Sequence, residues 1–272
     1  MKRLLPIILS ALAACAACTK TIVDEHMVVE GWIEEGGYPE VYVTSSMMAE
    51  KGEWAWESLM EHVLVTAAVS VSDGEKTEFL TGRIDKNRFP PYVFTTTKMK
   101  GEAGKTYTLH VKYGKTEAEA TTTVPEKQEL TSWELKEEMD GASIVCSFDA
   151  KQGCYYKFYS KRMGKDLMYL TSFLAMVDGS ASTGPVDMPI NRGYDLLSEK
   201  YKLSFDPGDK VSLRFCTMDK DSFDFWNRFE EQILFSKNPL VTVNIPVQGN
   251  VDGAYGYWIG YGASYYTVDI PE

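Results

Sequence analysis

Hydrophobic positions recur every second residue through most of the chain. Tyr107, Leu109, Val111 and Tyr113 alternate with Thr108, His110 and Lys112; Gly114-Lys115 then turns the chain, and Ala118, Ala120, Thr122 and Val124 alternate with Glu117, Glu119, Thr121 and Thr123. A period of two with one wet face predicts a β-hairpin whose other face is buried. Val28–Ile33, Glu40–Ser45, Val63–Ser72 and Tyr92–Thr97 read as further strands, divided by Gly36-Gly37, Asp73-Gly74 and Pro90-Pro91. Short strands between such turn signals build an antiparallel sandwich, here ending near Val124-Pro125.

The same period resumes beyond Trp133 and Leu135, where Ile144, Cys146 and Phe148 alternate with Ser143, Val145 and Ser147. Tyr155–Lys161, Leu167–Val177, Tyr201–Phe205 and Lys210–Thr217 follow, and a hairpin of Tyr255–Tyr261 with Tyr265–Ile270 is expected to close the chain. One segment changes period. Phe223, Trp226, Phe229 and Ile233 stand at helical spacing, behind Asp219, Asp221, Ser222 and Asp224 and ahead of Asn238-Pro239, so an amphipathic helix is expected over 219–236. The fold class is therefore mainly β: two antiparallel β-sandwich domains of the immunoglobulin or transthyretin kind, at 28–126 and 127–272, the second carrying the helix.

The N-terminus has a different pattern. Lys2 and Arg3 precede the apolar run Leu4–Ala14, which would span only about 16 Å as a helix against a hydrocarbon core of about 30 Å. It reads as a signal peptide over 1–14. The run closes on Leu12-Ala13-Ala14-Cys15, which resembles the lipobox of bacterial lipoproteins, with Cys15 as the acylated residue and 15–27 as a tether; Ala16-Ala17-Cys18 offers Cys18 as the alternative. Palmitate-type acyl chains would then be the membrane anchor. The formal charge of −11, from 28 Lys+Arg against 39 Asp+Glu, with no basic cluster, argues against nucleic-acid binding.

Three stretches resemble a known family: Val28-Val29-Glu30-Gly31-Trp32-Ile33; Ala68–Gly74 with Gly104-Lys105-Thr106-Tyr107; and Asn238-Pro239 through Asn250-Val251-Asp252-Gly253 to Gly260-Tyr261. Together, and in this order, they are similar to the domain-of-unknown-function family numbered 4249, lipoproteins of Bacteroidota. The resemblance implies an outer-membrane lipoprotein, facing the cell surface or the periplasm, often encoded beside a TonB-dependent receptor. It carries no catalytic residues across. The expected role is a lipid-anchored binding or accessory protein that captures an unidentified nutrient for such a transporter, with a structural or adhesive lipoprotein as the alternative and a carboxylate-based glycan hydrolase as the enzymatic one.

The candidate chemistry is sparse. His26, His62 and His110 are the chain's three histidines, dispersed along it, which suits neither a Ser-His or Cys-His nucleophile nor a zinc site. Asp219, Asp221 and Asp224 lack the Gly and Glu of a calcium loop, and helix capping explains them better. No metal or cofactor is expected. Met47, Met48, Trp54, Trp56 and Met60 form either a short covering helix or a surface that docks a partner. Tyr255, Tyr257 and Tyr261 share one face of the last strands and Trp258 the other, as a ligand face or as core. A symmetric turn at Asp149–Gly153 would set Cys146 opposite Cys154, as a disulfide or as two packed thiols; Cys216 is expected to stay unpaired.

Overall fold

The computed structural model describes residues 26–46, 60–193, 202–236 and 249–272. Cys15, Cys18, Met47, Met48, Trp54, Trp56, Tyr201 and the Asn238-Pro239 pair lie outside them. The elements run β1 (Met27–Glu34), β2 (Glu40–Ser45), β3 (Ala68–Ser72), β4 (Thr77–Phe79), β5 (Thr81–Ile84), β6 (Tyr92–Thr95), β7 (Thr106–Tyr113), β8 (Thr116–Thr123), β9 (Ser132–Glu138), β10 (Gly141–Ala150), β11 (Tyr155–Arg162), β12 (Leu170–Asp178), β13 (Gly184–Ile190), β14 (Lys210–Met218), α1 (Lys220–Ser236) and β15 (Tyr255–Asp269). The fold is mainly β, with sandwich-like packing and, among the described residues, one long helix. No described helix is long and apolar enough to cross a membrane.

One eight-stranded sheet, in the order β12-β11-β14-β15-β1-β2-β6-β5, runs through both halves of the chain. A four-stranded sheet, β4-β3-β7-β8, and a three-stranded sheet, β13-β10-β9, complete the sandwiches. In the first, Val29, Ile33, Val41 and Val43 of the large sheet share a core with Val69, Val71, Tyr107, Leu109 and Val111. In the second, Phe158, Leu213 and Phe215 meet Ile144, Cys146 and Phe148 of β10. The predicted β7–β8 hairpin forms in the expected register, with Leu109 opposite Ala120. Strands β4, β5 and β13 were not anticipated: β4 and β5 are only three and four residues long, and β13, although Val186, Met188 and Ile190 alternate inward, holds Pro185 and Pro189, which suits a strand at the edge of its sheet.

The closing hairpin does not form. Residues 255–269 make one continuous strand, which pairs parallel with β1 through 255–261 and antiparallel with β14 through 262–269. Two glycines of this strand serve close approach. A Cβ on Gly260 would lie 2.6 Å from the Thr123 carbonyl oxygen, and one on Gly262 would lie 2.6 Å from Glu126, so the link between the two halves passes directly against β15. The single division at 126/127 is corrected accordingly: Val251 and Trp258 belong to the first core and Val268 and Ile270 to the second.

The expected pairing of Cys146 with Cys154 is also overturned. Cys146 faces Trp133 and Met188 across its neighbouring strands, because the turn after β10 carries the chain from the three-stranded sheet to the eight-stranded one. Cys146, Cys154 and Cys216 are free thiols. An apolar alternation fits two strands facing each other across a core as well as two strands paired edge to edge, and here it serves the core.

Candidate functional site

The large sheet turns one face to the two cores and the other outward. On the outward face the alternation places Glu30, Trp32 and Glu34 of β1, Glu40 and Tyr42 of β2, Lys157, Tyr159 and Lys161 of β11, Arg214 of β14, and Tyr257, Tyr261 and Tyr265 of β15. This is a polar parity in the period-two sense, yet it is rich in aromatic rings. Helix α1 covers part of it.

The helix is set by its first turn and by one buried charge. Asp219 caps it, its Oδ1 accepting from the Ser222 amide at 2.8 Å. Phe225 and Trp226 turn inward, with ring centres 4.7 and 5.6 Å from that of Tyr257. One turn on, Glu230 forms an ion pair with Lys157, side chains 4% and 0% exposed. The same carboxylate accepts from the Thr171 hydroxyl at 2.9 Å and the Leu174 amide at 3.1 Å. Leu174 adopts a left-handed φ of 58° in a strand whose register shifts against β11. Burial pulls the Lys157 ammonium below its ordinary pKa while Glu230 holds it up.

Beside the helix lies a recess of about 320 Å³. Trp32, Tyr42, Tyr159, Tyr169, Trp226, Tyr257 and Tyr261 supply aromatic surface, and Glu30, Asp85, Arg88, Lys161 and Arg214 supply charge. Arg214 pairs with Glu34, and its Cζ lies 4.6 Å from the Tyr261 ring centre and 5.1 Å from that of Tyr159. The Tyr261 hydroxyl accepts from Trp226 Nε1 at 2.9 Å and bonds the Tyr159 hydroxyl at 3.0 Å. Across the recess Arg88 forks onto Glu40, Nη2 donating at 2.7 Å, and its Nε donates to Asp85 at 3.3 Å. Glu30 accepts from the Tyr257 hydroxyl. Burial raises the Glu30 carboxyl above its usual range and outweighs that hydrogen bond, and it raises the Tyr42 hydroxyl to about 12. The site is thus a set of preorganised rings and paired charges, a form suited to holding a ligand.

The residue model of a domain of unknown function, DUF4249, matches residues 18–267. The chain belongs to this family. A search of the curated proteins found no match. Among solved structures the chain is similar to one from a cytokine receptor complex at 10% identity, over 71% of this chain and 85% of the other, with a TM-score of 0.23; a likeness that slight carries no argument.

For this DUF4249 member, the residues singled out from sequence are distributed as follows. Tyr257 and Tyr261 reach the recess, whereas Trp258 is fully buried in the first core with its Nε1 donating to the Tyr107 carbonyl at 3.0 Å. Tyr255 is exposed and lies edge-on to His26. Of the Met/Trp segment only Met60 is described, half-buried. The histidines stay apart: His62 bonds Ser45 Oγ at 3.0 Å, and His110 stands across from Glu119. Sequence reasoning missed Glu30, Trp32, Tyr42, Arg88, Tyr159, Tyr169 and Arg214. The available signal was aromatic residues on the wet parity of their strands.

Proposed function

We propose that this protein is a lipid-anchored binding protein of the outer membrane that takes a small nutrient ligand into the recess beside α1 and acts alongside a TonB-dependent receptor. The single observation carrying the reading is the recess itself, in which aromatic faces for stacking surround a few charged groups already fixed by their own partners. Its volume suits one ring-sized residue of a ligand rather than a long polymer. The Leu12-Ala13-Ala14-Cys15 box supports the anchor, and a short tether would raise the effective concentration of the protein toward a membrane partner. Tryptophan-fluorescence titration of the full chain, in mild detergent, with mono- and oligosaccharides and short peptides tests the site. A saturable change that Trp32→Ala abolishes supports it; a change of equal size and midpoint in Trp32→Ala refutes it. A pull-down through a C-terminal tag, with mass spectrometry, tests the partner: recovery of an outer-membrane receptor supports the proposal, and its absence from the purified complex counts against it.

One observation favours the hydrolytic alternative: the carboxyl of Glu30, raised by burial, lines the recess together with Asp85. Asp85, however, is spent on the Asn87 amide at 3.0 Å and on Arg88. Turnover of a glycan that Glu30→Gln abolishes would move the reading to an enzyme.

A further inference from the structure

We propose that the ligand carries a carboxylate, seated on the Nε–H of Arg214, with an adjoining ring of the same ligand stacked on the aromatic wall. The inference rests on the recess being the binding site and adds the chemical class of what enters it. Arg214 lines the recess and is only 6% exposed. Its Nη2 is taken by Glu34, and the rings of Tyr261, Tyr159 and Trp32 surround its guanidinium. Its Nε, by contrast, is buried with no acceptor. A charged donor left unfilled in a buried site is costly, and a guanidinium fixed in place by rings and one carboxylate loses little freedom when a planar anion arrives.

The remaining lining narrows the anion. Of Arg214 only Nη2 is spent on a carboxylate, Arg88 is already forked onto Glu40, and Glu34, Glu40 and Asp85 stand close by as the partners of these arginines. A phosphate dianion would bring two charges to a site with three carboxylates around it. A carboxylate brings one charge and can accept one strong hydrogen bond. Burial shifts Glu30 toward its protonated form, which lessens the repulsion an incoming anion meets. Trp32 and Tyr42, ring centres 5.6 Å apart, give the stacking surface. Two sources share this chemistry, a uronic acid and the C-terminal residue of a peptide.

Isothermal titration of the full chain in mild detergent with four probes tests it: methyl glucuronide against methyl glucoside, and N-acetyltyrosine against N-acetyltyrosinamide. We expect one acid to bind at least about tenfold more tightly than its own neutral counterpart, as a charge-assisted hydrogen bond supplies, and the acid that does so identifies the source. Arg214→Lys keeps a cation opposite Glu34 but removes the Nε–H, and should collapse that ratio. Equal binding of each acid and its neutral counterpart overturns the carboxylate and leaves the recess reading standing. An undiminished ratio in Arg214→Lys overturns Arg214 as the anchor. Failure of all four probes to bind at millimolar concentration overturns the inference and the recess reading together. The comparison of acid with neutral probe needs only the unaltered chain, so it decides the matter even where Arg214→Lys does not fold.

Discussion

Replacing Glu230 by Gln should loosen α1 from the sheet. Glu230 and Lys157 are side chains 4% and 0% exposed, and Glu230 also accepts from Thr171 and from the Leu174 amide. The Gln amide keeps one acceptor oxygen but turns an NH₂ group toward either the ammonium or the Leu174 N–H, donor against donor. Removing one partner of a buried pair costs about 3–5 kcal/mol, and in a chain of this size each kcal/mol shifts Tm by about 2–4 °C, so a fall of about 6–20 °C is expected. Lys157→Met should cost a comparable amount. The double variant Lys157→Met/Glu230→Leu removes both charges and leaves the Thr171 hydroxyl and Leu174 amide without their acceptor, at up to about 1–3 kcal/mol each, but leaves no uncompensated charge, so its loss should be smaller than the sum of the two single losses. Urea unfolding followed by circular dichroism gives the coupling from the double-mutant cycle. Additive losses, with coupling below about 0.5 kcal/mol, would refute the claim that this pair fastens the helix.

Three further outcomes follow from the described geometry. Alkylation of the native protein without reduction should label half-buried Cys154 and spare Cys146 and Cys216, whose thiols burial pushes up to about 12; mass spectrometry reads it, and a bridged Cys146–Cys154 peptide would contradict it. Because the folded pKa of Glu30 lies above its usual value of 4.5, its stabilising contribution is full below that pH and is lost as pH rises through the folded value, so Glu30→Gln should flatten that part of the Tm-versus-pH curve; Glu40, raised in the same direction, keeps a residual slope in the variant. Gly256→Ala places a Cβ 1.8 Å from the Val29 carbonyl oxygen at a φ of +117°, so it should part β1 from β15 and cost at least about 2 kcal/mol in urea unfolding.

The periodicity of single strands was readable to the residue. Val29 and Ile33 are buried while Glu30 and Trp32 alternate outward, and the Asp219 cap falls where the change of period places it. What a period of two cannot encode is the neighbour. It assigns Tyr257 and Trp258 to opposite faces of β15, yet it says nothing of a parallel partner more than two hundred positions earlier in the chain. The same gap misled the reading of Cys146, whose apolar parity is satisfied by facing β11 across a core. The recess was illegible for a related reason. Glu30, Tyr42, Tyr159, Arg214 and Tyr261 come from five strands and make a site only once β15 has joined the two halves into one sheet. No local spacing records that arrangement, although Trp32 between Glu30 and Glu34, and Tyr159 between Lys157 and Lys161, marked rings on a face expected to be wet.

Fluorine NMR of fluorotryptophan-labelled protein tests the recess most directly, because the six tryptophans sample the competing surfaces. Trp32 and Trp226 line the recess, Trp258 sits in the first core, Trp133 is exposed on β9, and Trp54 and Trp56 belong to the segment read from sequence as either a covering helix or a docking surface. With each resonance assigned by single Trp→Phe substitutions, saturation with the tightest-binding probe should move Trp32 and Trp226 and leave Trp133 and Trp258 in place. Movement confined to Trp54 and Trp56, or to Trp133, with Trp32 and Trp226 unchanged, would contradict the assignment of the recess as the binding site.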